Sequence, residues 1–375
     1  MVTIEIVDDY NQFLSYSEQW NHLLEKSKVN NIFLTYEWIK CWWEAYGKEN
    51  NKLVILFVKD GDELIGIAPL MISKIYFQYI PVNKIGFIEN FHTGRMNFII
   101  SRNKNDVIDC IFNYLIEKVD NLWDVGIFNK ISTDSENYYA LQDILTQRNI
   151  PYKILDSLFS PYIEISSNWE TFLIQRDKKL KKTMRNNINR LEKLGKVEIV
   201  EIKKDSNDTE IEEVLREISD IASKSWKSKT KSEIFSTEEE QKFYSTLTHV
   251  MNRKGYLNIW LLRVNNKPIA FEYHLLYKNK DYALKASYNL DYSNCSPGSI
   301  LEYEVIKNAF NKNYSEIDLL GQNEQYKMKW DPLIRKHRQF IFFSTTLKSK
   351  LLSLTELKIL PFLKNTLSAK KIVRR

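Results

Sequence analysis

An internal repeat is the feature that most constrains this 375-residue chain. LVILFVKDGDELIGIAPLMI, beginning at Leu53, and LNIWLLRVNNKPIAFEYHLL, beginning at Leu257, align without a gap at a spacing of 204 residues. Each copy reads as an apolar strand, a polar turn (Asp60-Gly61-Asp62, then Asn265-Asn266-Lys267) and a second apolar strand. An isolated hairpin cannot bury both its faces, so each copy predicts a sheet with helices packed on it. The chain therefore reads as two copies of one α/β unit. At about 100 to 200 residues per domain the length accommodates both. Ser157, Ser160, Pro161, Ser166, Ser167 and Asn168 cluster at 156–168 and mark a junction there.

Helical periodicity predicts helices near 37–46, 106–119 and 136–148 in the first copy, and near 211–224, 238–253 and 298–311 in the second. One long amphipathic helix is expected from about 169 to 194. Strands are expected at 123–128, 256–264, 268–277, 281–288 and 316–320. This gives domains at 1–160 and 161–345, followed by a tail at 346–375.

Composition narrows the chemistry by exclusion. With 43% hydrophobic residues the chain is neither disordered nor low in complexity. Its ten glycines include no two closer than five residues, so the glycine-rich phosphate loops GxGxxG and GxxxxGK[ST] are absent. His22, His92, His249, His274 and His337 show no HExxH or HxH spacing and no GxSxG occurs, so neither a metal site nor a serine nucleophile is expected. Cys41, Cys110 and Cys295 are too few and too scattered for a disulfide framework or a CxxC pair, and suit a reducing cytosol. Cys295 reads as a free thiol, since no base is specified beside it. The opening MVTIEIVDDY turns acidic before any long apolar run, and no stretch of about 18 apolar residues follows. The expectation is a chain with neither signal peptide nor membrane span.

The net charge of +6 is unevenly placed. Residues 176–193 carry +6 and residues 346–375 carry +7, which leaves −7 for the rest. A nucleic-acid partner is not expected, because no aromatic residues interleave with the first basic run. That run sets Leu173, Leu180, Met184, Ile188, Leu191 and Leu194 near helical spacing, with Lys179, Lys182, Arg185 and Arg190 among the polar positions. It is either a solvated helix face or a phosphate contact. The tail mixes leucines with lysines and reads as one or two basic amphipathic helices broken near Pro361. Such helices either pack on the body or lie on an anionic membrane face.

Two places in the second copy suggest chemistry. Tyr288, the loop NLDYSNCSPGS and a helix opening at Gly298 bring a strand end and a positive helix terminus together, which suits an anion. An ordinary turn, capped by Ser296 with Pro297 at the first helical position, is the alternative. Strand alternation puts Glu272 and His274 on one face of 268–277, between Ala270 and Leu276. The first copy has Ala68 and Leu70 at the aligned positions. The pair is either catalytic or structural, with Glu272 paired to Lys285 on the next strand.

Five pieces in order carry a family resemblance: Phe33-Leu34-Thr35-Tyr36-Glu37-Trp38 with Trp42-Trp43, Gly66-Ile67-Ala68-Pro69-Leu70, Ser296-Pro297-Gly298, Asp318-Leu319-Leu320-Gly321, and Tyr326-Lys327-Met328-Lys329-Trp330. Over about residues 30–345 the chain resembles GNAT acetyltransferases of the CelD/BcsL kind, relatives of the FemAB-type transferases with tandem GNAT-like domains. The resemblance implies an α/β fold of two such domains, each a mostly antiparallel mixed sheet flanked by helices. It also implies direct acyl transfer from a thioester, usually acyl-CoA, to an amine, with the second domain catalytic.

Such chemistry needs an anion cradle, oxyanion donors, a base for the ammonium and an acid for the thiolate. Glu272 is the candidate base and His274 the second choice, with Tyr288 or Tyr292 as the acid. Tyr292, Ser296, Gly298 and Ser299 are the expected donor-binding residues. Lys327 falls on the aromatic-lysine step of Fem-type enzymes, where it would stabilise negative charge; the alternative is a solvated lysine beside Lys329. Asp318 and Gly321 would shape the cleft for the acceptor, with Tyr326 and Trp330 packing there. The chain departs from the usual R/Q-x-x-G-x-G/A cradle, since its loop has one glycine. Donors are therefore ordered acyl-CoA, acyl carrier protein, then aminoacyl-tRNA. The helices between 208 and 253 read as too short and separated for the helical hairpin of the tRNA-using enzymes. The implied acceptor is an amine on a cell-envelope polysaccharide or amino-sugar precursor. The alternatives are aminoacyl transfer to a peptidoglycan precursor and a non-catalytic binding scaffold. The expected location is the cytoplasm, with peripheral membrane contact through the tail.

Overall fold

A computed structural model describes residues 2–47, 50–176, 178–202, 206–225 and 234–362. The chain divides into two compact units: residues 1–39, 47–158 and 336–375 form the first, and residues 40–46 and 159–335 the second. The strands in chain order are β1 (Val2–Val7), β2 (Asn51–Asp60), β3 (Glu63–Phe77), β4 (Ile80–Phe87), β5 (Ile99–Ile100), β6 (Val125–Ser132), β7 (Tyr152–Glu164), β8 (Val197–Ile202), β9 (Leu257–Val264), β10 (Lys267–Tyr277), β11 (Lys280–Tyr288), β12 (Glu316–Asp318) and β13 (Leu333–Phe343).

The two units are built alike. In the first the strand order is β1-β2-β3-β4-β6-β13, and in the second β8-β9-β10-β11-β12-β7. Strands pair antiparallel in both, except for one parallel pair in each, β4 with β6 and β11 with β12. The repeat extends to register: Leu56 faces Ala68 as Trp260 faces Glu272, and Val54 faces Leu70 as Asn258 faces His274. The second hairpin turns on Asn265 and Asn266, both at positive φ (49° and 63°), a conformation that asparagine tolerates and that matches the twist of the strands it joins.

Each sheet is stabilised by helices whose apolar faces it buries. In the first unit Phe87, Phe98, Phe112, Phe128 and Phe342 form one buried aromatic cluster, with ring centroids 4.8–5.4 Å apart along it. In the second, the helix Pro297–Asn311 lies between two clusters. Ile300, Leu301 and Val305 meet Trp260, Leu262 and Ala270, whereas Ile306, Ala309 and Phe310 meet Trp169, Phe172 and Trp330.

Several expectations need correction. The helix expected over 169–194 is two helices, Trp169–Ile174 and Lys178–Glu192. Between them Arg176 turns inward, its guanidinium 4.1 Å from the Phe172 ring centroid and 3.7 Å from Asp331. Leu180, Met184 and Leu191 of the second helix are buried, while Lys179, Lys182, Arg185 and Arg190 are exposed. The chain passes from the first unit to the second between residues 158 and 159, inside the serine-rich stretch read as a junction, but that stretch is mostly strand β7 and not a loop: Pro161 gives its carbonyl to the Leu319 N–H (3.0 Å) and Ser160 donates to the Gly321 carbonyl (3.3 Å). The boundary at 345 moves back to 335, because β13 from Lys336 onward pairs with β6. Of the two alternatives for the tail, its first helix shows packing on the body: Leu347–Leu354 buries Leu352 against Val82, Val125, Ile341 and Phe343. A wide π turn, Thr355–Ile359, then carries the chain past Pro361, whose ring would clash in a regular helix, so the expected break is a widening. Residues 363–375 lie outside the described residues. No helix among those described is long and apolar enough to cross a membrane.

Candidate active site

A cavity of about 500 Å³ opens in the second unit where its sheet splits. The parallel ladder between β11 and β12 lasts three residues, from Lys280–Glu316 to Tyr282–Asp318, and stops. Beyond it, residues 283–288 line one side and Ile317, Leu319, Leu320 and Gly321 the other. Gly298, Ser299 and Glu302 close it from the first turns of the helix Pro297–Asn311, and Glu324, Tyr326 and Lys327 from the loop after β12.

Glu272 and His274 enter from β10, side by side as strand alternation requires. Both are buried, and a chain of hydrogen bonds fixes them. His274 Nε2 lies 2.9 Å from Glu272 Oε2, and Nδ1 lies 2.9 Å from Asp281 Oδ2. Asn258 donates to Asp281 Oδ1 (3.0 Å), and the Trp260 indole donates to Asn258 (3.0 Å). Burial by itself disfavours an imidazolium, but Asp281 and Glu272 outweigh it and push His274 up to about 10. At neutral pH the ring is thus a cation donating from both nitrogens. In that form it has no lone pair to accept a proton, which favours Glu272 over His274 as the base.

Register explains the pairing. β11 carries an extra residue, Leu284, between the partners of Tyr273 and His274, so Glu272 stands opposite Ala286, and Lys285 opposite Tyr273. Glu272 has His274 as a hydrogen-bond partner on its own strand. Asp281 is diagonal to His274 across the hairpin, within reach of a long side chain.

A second carboxyl faces the same space. Burial raises Glu302, Lys329 opposes this from 2.5 Å, the charge of Glu272 raises it further, and the net shift is upward. Lys327 is buried, with its ammonium directed to the Leu320 carbonyl (2.8 Å), the Gln322 carbonyl (3.4 Å) and Glu324 (2.8 Å). The solvated alternative for this lysine is excluded. Its three donors hold the turn after β12, so the charge-stabilising role implied by the resemblance requires one of them to let go.

The cavity gathers Glu272, His274, Tyr288, Gly298, Ser299, Gly321, Tyr326 and Lys327. Four other candidates lie off its wall. Asp318 is fully buried against Arg335 (3.3 Å), which stacks 4.1 Å from the Tyr162 ring. Trp330 is fully buried in the core. Tyr292 packs on the cluster that contains Cys295, itself buried. Ser296 occupies the cap position at φ 51°, but its side chain makes no capping bond. Sequence reasoning passed over Asp281, Asn258, Glu302 and Glu324. Glu302 was legible, since it follows Gly298 by one helical turn and must share its face.

Residues 178–328 match the Acetyltransferase (GNAT) domain family. The second unit carries a GNAT acetyltransferase domain. No curated protein matches the chain in sequence. Among solved structures, FemX is 10% identical, with a TM-score of 0.59 over 93% of this chain and 99% of that one. A conserved protein of unknown function from Bacteroides thetaiotaomicron is 15% identical, with a TM-score of 0.55 over 91% of this chain and 100% of its own. L-PGS from Bacillus licheniformis is 12% identical, with a TM-score of 0.53 over 91% and 96%. At these identities the likeness concerns the fold, and it spans both units: the chain is a mixed α/β protein of two tandem GNAT-like domains.

Proposed function

We propose that the cavity of the second unit transfers an acyl group, acetyl in the simplest case, from a thioester to an amine. The observation that carries this reading is the buried Glu272 carboxylate on the cavity wall, oriented by an imidazolium that Asp281 holds in place. An acceptor enters as an ammonium, attracted by Glu272, and gives that carboxylate a proton. The freed amine attacks the thioester carbonyl, the tetrahedral intermediate collapses with cleavage of the C–S bond, Tyr288 gives its proton to the departing thiolate, and the proton still carried by the new amide nitrogen passes to the Tyr288 phenolate and restores it. His274 and Asp281 position the base without touching the reacting atoms. The acceptor class, an amine on a cell-envelope polysaccharide or amino-sugar precursor, rests on the family resemblance.

The donor is the family's usual acyl-CoA in this reading, and the cradle for its diphosphate is sparse. Pro297 has no N–H, and the Ser299 and Ile300 N–H groups are taken by the Ser296 carbonyl (3.0 and 3.2 Å). That leaves the Gly298 N–H and the Ser299 hydroxyl at the helix start. The same sparseness favours a second reading, Fem-like aminoacyl transfer to a peptidoglycan precursor, whose donor presents no diphosphate. A further observation supports it. The helices Asp208–Ser223 and Glu238–Arg253 are 16 residues each and joined by His249, which reaches Asp208 (3.2 Å) and Glu212 (2.9 Å). Their lengths are close to those expected, and the correction concerns separation alone: the two helices are in contact.

Calorimetry with CoA, acetyl-CoA and longer acyl-CoAs, paired with a thiol-release assay on amino-sugar acceptors, tests the first reading. Binding with acceptor-dependent thiol release is expected. Absence of binding at every chain length overturns it, and product formed from an aminoacyl-tRNA establishes the second.

A further inference from the structure

The first unit presents an exposed apolar surface that acyl transfer does not use. We propose that it docks on an anionic lipid bilayer, through the tip of the β3–β4 hairpin and the helical segment that follows β13. At the hairpin tip Tyr76 and Tyr79 are 78% and 99% exposed, and Ile80 stands beside them at 43%. On the helix Leu347–Leu354, Leu352 and Ser349 face inward, whereas Leu347, Leu351 and Leu354 form an outward stripe at helical spacing. Ile359 and Phe362 continue the exposed apolar series.

Hairpin and helix belong to one surface. Phe77 and Leu357 pack on the same buried cluster, Lys348 donates to the Pro81 carbonyl (2.9 Å), and the Gln78 amide donates to Glu356.

Charge selects the occupant. The acidic groups nearby are engaged: Asp120 accepts from the Thr345 N–H (2.9 Å), Asp124 pairs with Lys348 (2.8 Å), and Glu356 pairs with Lys153. Lys74, Lys350 and Lys358 stay exposed, and the sequence beyond Phe362 adds Lys364, Lys370, Lys371, Arg374 and Arg375 with no acidic residue. A second copy of this chain on the same face would bring two such basic segments together across a two-fold axis, which like charge disfavours. An anionic bilayer takes both halves of the surface. Tyrosines and leucines enter the headgroup boundary while lysines stay at the phosphates, and a stable peripheral contact requires both signals.

Co-sedimentation of the full chain with phosphatidylglycerol-containing vesicles tests the proposal, with pure phosphatidylcholine vesicles as the neutral arm. Binding to the anionic vesicles is expected, weaker by about tenfold or more on neutral vesicles or at high salt. Tyr79→Ser/Leu351→Ser/Leu354→Ser alters only exposed positions, so its thermal unfolding should match the wild type while vesicle binding falls about tenfold. The proposal is overturned by three results: a chain that stays in the supernatant with anionic vesicles, a serine variant that binds undiminished, or a solution dimer that the serine variant dissolves.

Discussion

The two units differ at the same point of the same sheet. In the first, the parallel ladder joins the end of β4, from Lys84 to Gly86, to the start of β6, and packed rings of Phe87, Phe98 and Phe128 follow it. In the second, the ladder stops at Tyr282, six residues before β11 ends, and a cavity follows it. The hairpins differ in step with this. Fully buried Ala68 and Leu70 in one correspond to Glu272 and His274 in the other. A duplicated scaffold thus carries a packed core at this point in one copy and, in the other, a cavity with a buried carboxylate on its wall.

The sharpest way to break this contrast is to remove the carboxylate. Glu272→Gln keeps the size and the hydrogen bond but cannot take a proton, so turnover should fall by about 10²- to 10⁴-fold with donor binding retained. Thiol-release kinetics beside calorimetry measure both, and an active Gln variant would shift the base role to Glu302. Next in size is the closed copy. Phe128→Ala should lower stability by about 3 to 5 kcal/mol in urea unfolding, through lost burial and a cavity. Per folded molecule it should leave transfer unchanged. Conversely, Ala286→Phe, placed in the open copy, should block turnover with little effect on the urea midpoint.

Much of this architecture was legible because the repeat fixes register. Aligning Leu53 with Leu257 places Glu272 and His274 on a specific face, and the three central strands follow from their apolar runs. The unread strands have visible reasons. VEIVEI of β8 alternates with glutamates, as an edge strand does, and LIRKHRQF in β13 looks like a charged loop until β6 pairs with it. Which polar groups converge depended on long-range geometry. Asp281 reaches His274 only because Leu284 bulges, and Asp318 leaves the cavity because Arg335, 17 residues on, claims it.

The polar pair can also be turned back into its apolar counterpart. His274→Leu alone leaves Glu272 and Asp281 buried without their cation and should cost about 3 to 5 kcal/mol. Glu272→Ala/His274→Leu/Asp281→Asn removes the charges together and should recover most of that loss while remaining inactive. The pH dependence has a fixed sign. The folded-state value of about 10 lies above the ordinary histidine value of about 6.5, so the contribution of His274 to stability is complete below pH 6.5 and is lost as pH rises through about 10. Urea midpoints of the wild type should decline across that window, and those of the triple variant should decline less. Parallel curves would mean that the imidazolium is not what binds the network.

The smallest effect is expected where the turn after β12 meets Lys327. Both units hold a buried lysine against a carboxylate and a backbone carbonyl: Lys130 with Glu89 and Asn90 in the first, Lys327 with Glu324 and Leu320 in the second. The second alone adds a glycine at positive φ beside it, Gly321 at 61°, where a Cβ would come within 2.9 Å of the Lys327 ammonium. The flexible end of the lysine can retreat, so the penalty for Gly321→Ala comes mainly from the left-handed backbone, about 1 to 2 kcal/mol. Gly321→Asn should cost less, because asparagine visits that conformation more readily. Because the displaced ammonium anchors a turn that lines the cavity, both variants should raise KM in proportion to how far Lys327 moves. Equal urea midpoints for Ala, Asn and wild type would show that the left-handed backbone at Gly321 carries no strain for a side chain.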